Sequence, residues 1–185
     1  MSWKNTDSRY SSLSIALHWL MLALLAAVYA CIEFREVFPK GSGNRTLIVE
    51  WHYMLGLTVF ILVWLRLLVR TFGVAPKITP APPAWQVLIS RGMHLALYLF
   101  MIATPILGWL VVSAQGHSVM FYGIELTPLV GEDKEYADQL KEWHELIAST
   151  GYWLIGLHAL AGLFHQYFVR DNTLLRMLPK RSDSA

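Results

Sequence analysis

Charge is what this sequence has least of. Only 15% of its 185 residues are Asp, Glu, Lys or Arg, against 55% in the hydrophobic set, a balance outside the range of a soluble domain. That scarcity excludes a solvated globular fold, and nothing in the sequence points to a nucleic-acid partner. Cysteine is scarcer still, since Cys31 stands alone and no internal disulfide can form. Internal repeats and low-complexity tracts are absent, so residues 1–185 read as a single domain.

What the sequence has is long apolar runs. Four stretches of about 20 residues, the length that crosses roughly 30 Å of hydrocarbon, are nearly free of charge. They cover 13–32, 47–69, 92–114 and 143–169. The connections between them, near 33–46, 71–91 and 115–142, are too short for a soluble domain. The fold class is therefore all-α, an integral membrane four-helix bundle in membrane lipid. A cleavable leader is the competing reading of the first run, because Lys4 and Arg9 precede it. The run is longer than a usual signal core, however, and Val-Tyr-Ala before Cys31 is an awkward cleavage context.

Orientation follows from the basic residues. One side of a four-helix path holds Lys4, Arg9, Arg66, Arg70, Lys77, Arg91, Arg170, Arg176, Lys180 and Arg181; the other holds Arg35, Lys40, Arg45, Lys134 and Lys141. Both termini are expected in the cytoplasm. Glu125, Glu132, Asp133, Glu135, Asp138 and Glu142 then make the outer face net acidic. Lys40 to Asn44 reads as a tight turn, and the four prolines between Pro76 and Pro83 as an extended cytoplasmic strap. Pro105 and Gly108 predict a kink in the third helix. Residues 132–145 suggest an amphipathic outer helix leading into the fourth.

Six of the seven histidines fall inside the apolar runs. An imidazole in hydrocarbon must satisfy two ring nitrogens where water is scarce, which marks it as functional by default. A lone one can equally be helix-to-helix glue, but the spacing here favours ligation. His144 and His158 are 14 residues apart, so they share a helix face at depths about 21 Å apart, and one helix can offer a ligand to each of two stacked haems. A haem iron that carries electrons takes two strong axial donors. At helical rise, His52 matches the depth of His144 and His18 that of His158. We therefore pair His52 with His144 at an outer haem and His18 with His158 at an inner one. There is no C-x-x-C-H sequence, so both haems are expected to be non-covalent b type.

Other residues fit around these. Gly56 and Gly151 lie where a large side chain would block a flat macrocycle, although small residues also serve helix packing. Arg66, 14 residues after His52, sits at the inner haem's level, where it can pair with a propionate or extend to the interface. His165 and His94 share a shallow cytoplasmic depth, where their rings offer hydrogen-bond donors and a proton source.

The stretches Leu-His-Trp-Leu around His18, Glu-Trp-His around His52, Lys-Glu-Trp-His-Glu around His144, Gly-Leu-His-Ala around His158 and the terminal Asp-Asn-Thr-Leu-Leu-Arg-Met-Leu-Pro resemble the bacterial cytochrome b561 family. The likeness covers nearly the whole chain. It implies a di-haem cytochrome b of the inner membrane that exchanges electrons with ubiquinone, for which His165, with His94 at similar depth, is the expected quinone site. It also implies a superoxide:ubiquinone oxidoreductase that takes electrons from superoxide, a small-molecule donor, on the outer side. Its ligand positions match the four histidines chosen by depth. Two alternatives stand beside it: a haem-bearing anchor subunit of a dehydrogenase or hydrogenase with a protein electron donor, and a haem-free His-lined metal or proton transporter.

Overall fold

The computed structural model describes residues 5–179. Lys4, Lys180 and Arg181, counted above for orientation, lie outside them.

Four long helices appear, each long and apolar enough to cross a membrane. In α1 (Ser12–Phe34) the Ser11 hydroxyl accepts the Ser14 N–H, and in α2 (Gly43–Thr71) the Ser42 hydroxyl accepts that of Arg45. These are the side-chain caps that orphan first-turn amides require. Helix α3 (Ala84–Ala114) starts directly after Pro83, whose carbonyl takes the Gln86 and Val87 N–H groups. Helix α4 (Lys134–Phe164) is capped by the Asp133 carboxylate on the Tyr136 N–H at 3.0 Å. The expected outer amphipathic helix is thus the first turns of α4, not a separate element. Both α3 and α4 outrun their apolar stretches because hydropathy marks hydrocarbon depth, whereas caps decide where a helix begins.

The connection after α3 holds a hairpin that the sequence reading left as loop. Strands β1 (Val119–Phe121) and β2 (Ile124–Leu126) pair antiparallel. Tyr122 at φ 47° and Gly123 at φ 87° form the two-residue turn, whose positive φ values match the twist of the strands. The hairpin lies against α2, with the Tyr122 hydroxyl 3.2 Å from Thr58 Oγ1 and Val119 buried among Leu57 and Val112.

Helix α1 packs along α2 and α3 along α4, and α2 joins the two pairs, while no comparable backbone contact links α1 to α4. A slot is left between them. Its middle is filled by Met21, Val59, Val63, Tyr98, Phe100 and Met101, and the exposed Leu88, Leu99, Trp153 and Leu160 face outward, as a lipid-solvated bundle requires.

At one end the N-terminal segment, the Pro-rich strap and the C-terminal segment are tied together. Lys77 donates its N–H to the Asp7 carbonyl, Thr79 donates to Asn172 Oδ1, and the Trp19 indole donates to the Met177 carbonyl at 2.8 Å. Arg176, one of the basic residues that set the expected orientation, is buried. Its guanidinium donates to the Pro76 carbonyl and lies 5.7 Å from the Tyr10 ring centre. It therefore serves as a tie between segments. Arg176→Ala should lower stability by about 2–3 kcal/mol, the scale of a lost hydrogen bond to a charged donor, read as a lower melting temperature in detergent. An unchanged melting temperature would show that the tie carries no load.

Candidate functional site

The slot between the helix pairs is where the histidines meet. His52 on α2 faces His144 on α4 with ring centres 6.3 Å apart, and His18 on α1 faces His158 on α4 at 6.2 Å. Two metal–imidazole bonds of about 2.0 Å, with about 1.1 Å from each ligating nitrogen to its ring centre, separate collinear axial imidazoles by roughly 6.2 Å. Both pairs have the spacing of two imidazoles sharing one iron.

The outer pair is oriented for this through its other nitrogens. His52 Nδ1–H donates to the Val28 carbonyl at 3.1 Å, and His144 Nδ1–H donates to the Thr104 carbonyl at 3.0 Å. Such bonds fix the tautomer and leave each Nε2 lone pair free to ligate. Between them opens a cavity of about 420 Å³, of the size class of cofactor sites. Gly56 lines it, and a side chain there would meet open space. Gly108 has a role that the expected kink did not capture: a Cβ at that position would stand 3.1 Å from His144 Cε1 and 3.4 Å from Nδ1, so its absence lets the ring approach α3. Gly151 serves differently from expectation. It is covered by the Tyr29 hydroxyl and the Phe100 ring, so it makes room for side chains between the two levels, not for a macrocycle.

The inner pair shares its surroundings with two further groups. Arg66 does not extend to the interface; its Nη2 donates to His18 Nδ1 at 2.9 Å. Because a guanidinium only donates, Nδ1 of His18 is the acceptor there, the reverse of His52 and His144. His94 was grouped by depth with His165, but the structure sets its ring 5.4 Å from that of His158, in a cavity of about 60 Å³ that His18 and Arg66 also line. The His94 ring is closer to His158 than the His18 ring is, so this level gathers three imidazoles beside Arg66. The two imidazoles of each pair have the spacing for one metal ion between them, and at the His52–His144 level the cavity is also of cofactor size. Leu25 and Met101 line both cavities and form the partition between them.

His165 follows α4 in a π-helical turn (His165–Val169) that ends in left-handed Arg170, φ 60°. That reversal brings Asp171 back, so His165 Nδ1–H donates to Asp171 Oδ2 at 2.6 Å while the Thr173 N–H donates to Oδ1 at 2.8 Å. The Asp171 side chain is 1% exposed. Burial pushes its pKa up, but the hydrogen bonds from His165 and Thr173 outweigh burial and hold the carboxyl below its ordinary value. The sequence reading missed Asp171 as a partner. A separation of six residues is off the helical periodicity, and only the terminal motif marked it.

At the outer mouth Glu33, Arg35, Lys141 and Glu145 line the larger cavity. Glu33 accepts the Tyr152 hydroxyl at 2.6 Å, and Tyr152 packs on Tyr29 at 4.2 Å between ring centres. His117, in the loop after α3, is exposed.

Paired imidazoles across the slot of a membrane helical bundle define the class of transmembrane cytochromes. A family model for prokaryotic cytochrome b561 matches residues 9–180, and the chain belongs to that family, whose members are membrane haem proteins. It is 42% identical over 174 residues to cytochrome b561 homolog 1 of Escherichia coli K12, covering 94% of this chain and 99% of that protein. It is 35% identical over 173 residues to the probable superoxide oxidase CybB of Yersinia pestis, covering 94% and 97%. Cytochrome b562 of Cereibacter sphaeroides matches at 29% over 183 residues, covering 93% and 96%.

The closeness of Gly108 to His144 gives a test. Gly108→Val should displace the His144 ring, cost about 1–3 kcal/mol through overpacking, and change the absorption and electron paramagnetic resonance signals of one haem. Signals identical to the parent would mean that the ring does not rest on Gly108.

Proposed function

We propose that this chain is a di-haem cytochrome b of the inner membrane, a single domain over 1–185 with both termini cytoplasmic, that carries electrons from a small outer reductant to ubiquinone. The observation that carries the reading is the matched spacing of His52 with His144 and of His18 with His158. These four would hold the haem irons, one pair per haem b. When bound, each haem supplies a reversible one-electron carrier. Were His18 to hold an iron through Nε2, its Nδ1 would carry the proton and Arg66 would need another acceptor, a role a haem propionate would fill.

Superoxide is the outer reductant that the family resemblance favours, and the name of the Yersinia pestis relative supports the same choice. Arg35 and Lys141 are the cations at the mouth, balanced by Glu33 and Glu145. Opposed charges cancel beyond about a Debye length, so steering of an anion into this mouth is weak. At the other end, His165 is the quinone-facing residue, its ring presented beside the exposed Phe164, Tyr167 and Phe168. His94 is the less direct participant, because it borders the inner pair.

Three measurements test this. The reduced protein should show a low-spin b-type spectrum with two haems per chain. His52→Ala or His144→Ala should abolish one signal, and His18→Ala or His158→Ala the other; one haem per chain in the parent would refute the pairing. The rate with superoxide should change less than about twofold between low and physiological salt, whereas a steep fall would reveal a positive funnel. Finally, His165→Ala should keep both haem signals and slow their oxidation by a short-chain ubiquinone roughly tenfold or more. Unchanged quinone kinetics would move the site elsewhere.

A further inference from the structure

We infer that Asp171 is a positioning residue that turns His165 into a proton donor for the reduced quinone, an assignment that rests on the quinone site proposed above. Three observations converge on it. The π-helical turn and left-handed Arg170 have one local result, which is to fold the chain back so that the Asp171 carboxylate meets His165 Nδ1 at 2.6 Å. Both carboxylate oxygens are engaged, Oδ2 by His165 and Oδ1 by the Thr173 N–H, and the side chain is 1% exposed. A buried carboxylate so enclosed holds the imidazole in one tautomer and one orientation. The third observation is the other ring nitrogen. His165 Nε2 bonds to none of the described residues and is not enclosed by them, so it is the working atom.

Ubiquinone takes two electrons, delivered one at a time by the reduced haem protein, and two protons to become ubiquinol. The His165 imidazolium gives one proton from Nε2 to a quinone carbonyl oxygen and becomes the neutral ring, while Nδ1–H stays on Asp171. Water at the exposed edge supplies the second proton and recharges Nε2. Asp171 remains a carboxylate throughout and keeps the ring oriented with Nε2 toward the quinone. Its place one turn beyond the membrane helix gives the pair access to water.

The haem-loaded full chain in detergent tests this, reduced with dithionite and mixed rapidly with a short-chain ubiquinone. Asp171→Asn should keep both haem spectra and slow haem oxidation at saturating quinone roughly tenfold or more, with the half-saturating quinone concentration little changed. Asp171→Glu should recover part of the rate. The double variant His165→Ala/Asp171→Asn should be no slower than His165→Ala alone, since residues acting as a unit are non-additive. Added imidazole should restore His165→Ala in part. If His165→Ala is slow but Asp171→Asn matches the parent, the role of Asp171 is wrong and the quinone site stands. If both match the parent, the quinone site itself is wrong. Should Asp171→Asn fail to fold, Asp171→Glu decides: a parental rate there, with the carboxylate displaced by one methylene, overturns the positioning role.

Discussion

A ring nitrogen inside hydrocarbon has nowhere to turn but to the protein. Water is not at hand, and an unsatisfied polar group at that depth costs several kcal/mol. Each histidine of the bundle therefore forces a local solution. His52 and His144 spend Nδ1 on the carbonyls of Val28 and Thr104, groups that already sit in helices. His94 spends its own on the Ser90 carbonyl one turn back, at 2.6 Å. The consequence is that every Nε2 so placed is aimed by the backbone and not by a flexible side chain. Rigid presentation of this kind is what a redox centre needs, because a ligand that wanders costs reorganisation at each electron transfer.

The same constraint explains why α1 and α4 keep apart. Helices in lipid approach closely where small residues line their seam, yet here the contact is made by side chains: the Tyr29 hydroxyl to the Ala148 carbonyl at 2.6 Å, and Tyr152 to Glu33. Gly151 is the small residue on that seam, and it admits Tyr29 and Phe100 instead of the opposite helix. The slot is propped open at its middle and left free at the levels of the two histidine pairs. Leu25 and Met101 close the partition between the two levels with apolar atoms.

How much of this was legible beforehand follows from which quantities are linear in sequence. Helical rise is linear, so depth could be read by counting from the flanking arginines, and the pairs His52 with His144 and His18 with His158 came out of that count. Azimuth across helices is not linear, which is why His94 was grouped with His165 when α3 in fact turns it toward His158. The roles of Gly108 and Gly151 depend on which neighbour each one faces, and no spacing rule supplies that. The Asp171 contact needs a π-helical turn and a left-handed residue, both departures from the periodicity that made the rest readable. The hairpin after α3 was hidden for a related reason: its strands are three residues each, too short to show alternation.

The two ends of the bundle are built to different standards, and the difference is chemical. The small reductant proposed above asks only for access, and the end that carries His52 and His144 offers an open cavity with a mouth of mixed charge. A quinone asks for electrons and protons together, so a group must be held at a fixed distance from it in a defined protonation state. That demands a rigid frame, and the other end has one: strap, N-terminal segment and C-terminal segment tied through buried Arg176, half-buried Asn172 and the exposed Trp19 indole. Asp171 belongs to this frame by sequence position and to the His165 site by contact. The ties that hold the C-terminal segment down therefore also hold the carboxylate against the imidazole. Loosening the frame should reach the site through that one residue before it disturbs the histidine pairs, which rest on the helices themselves.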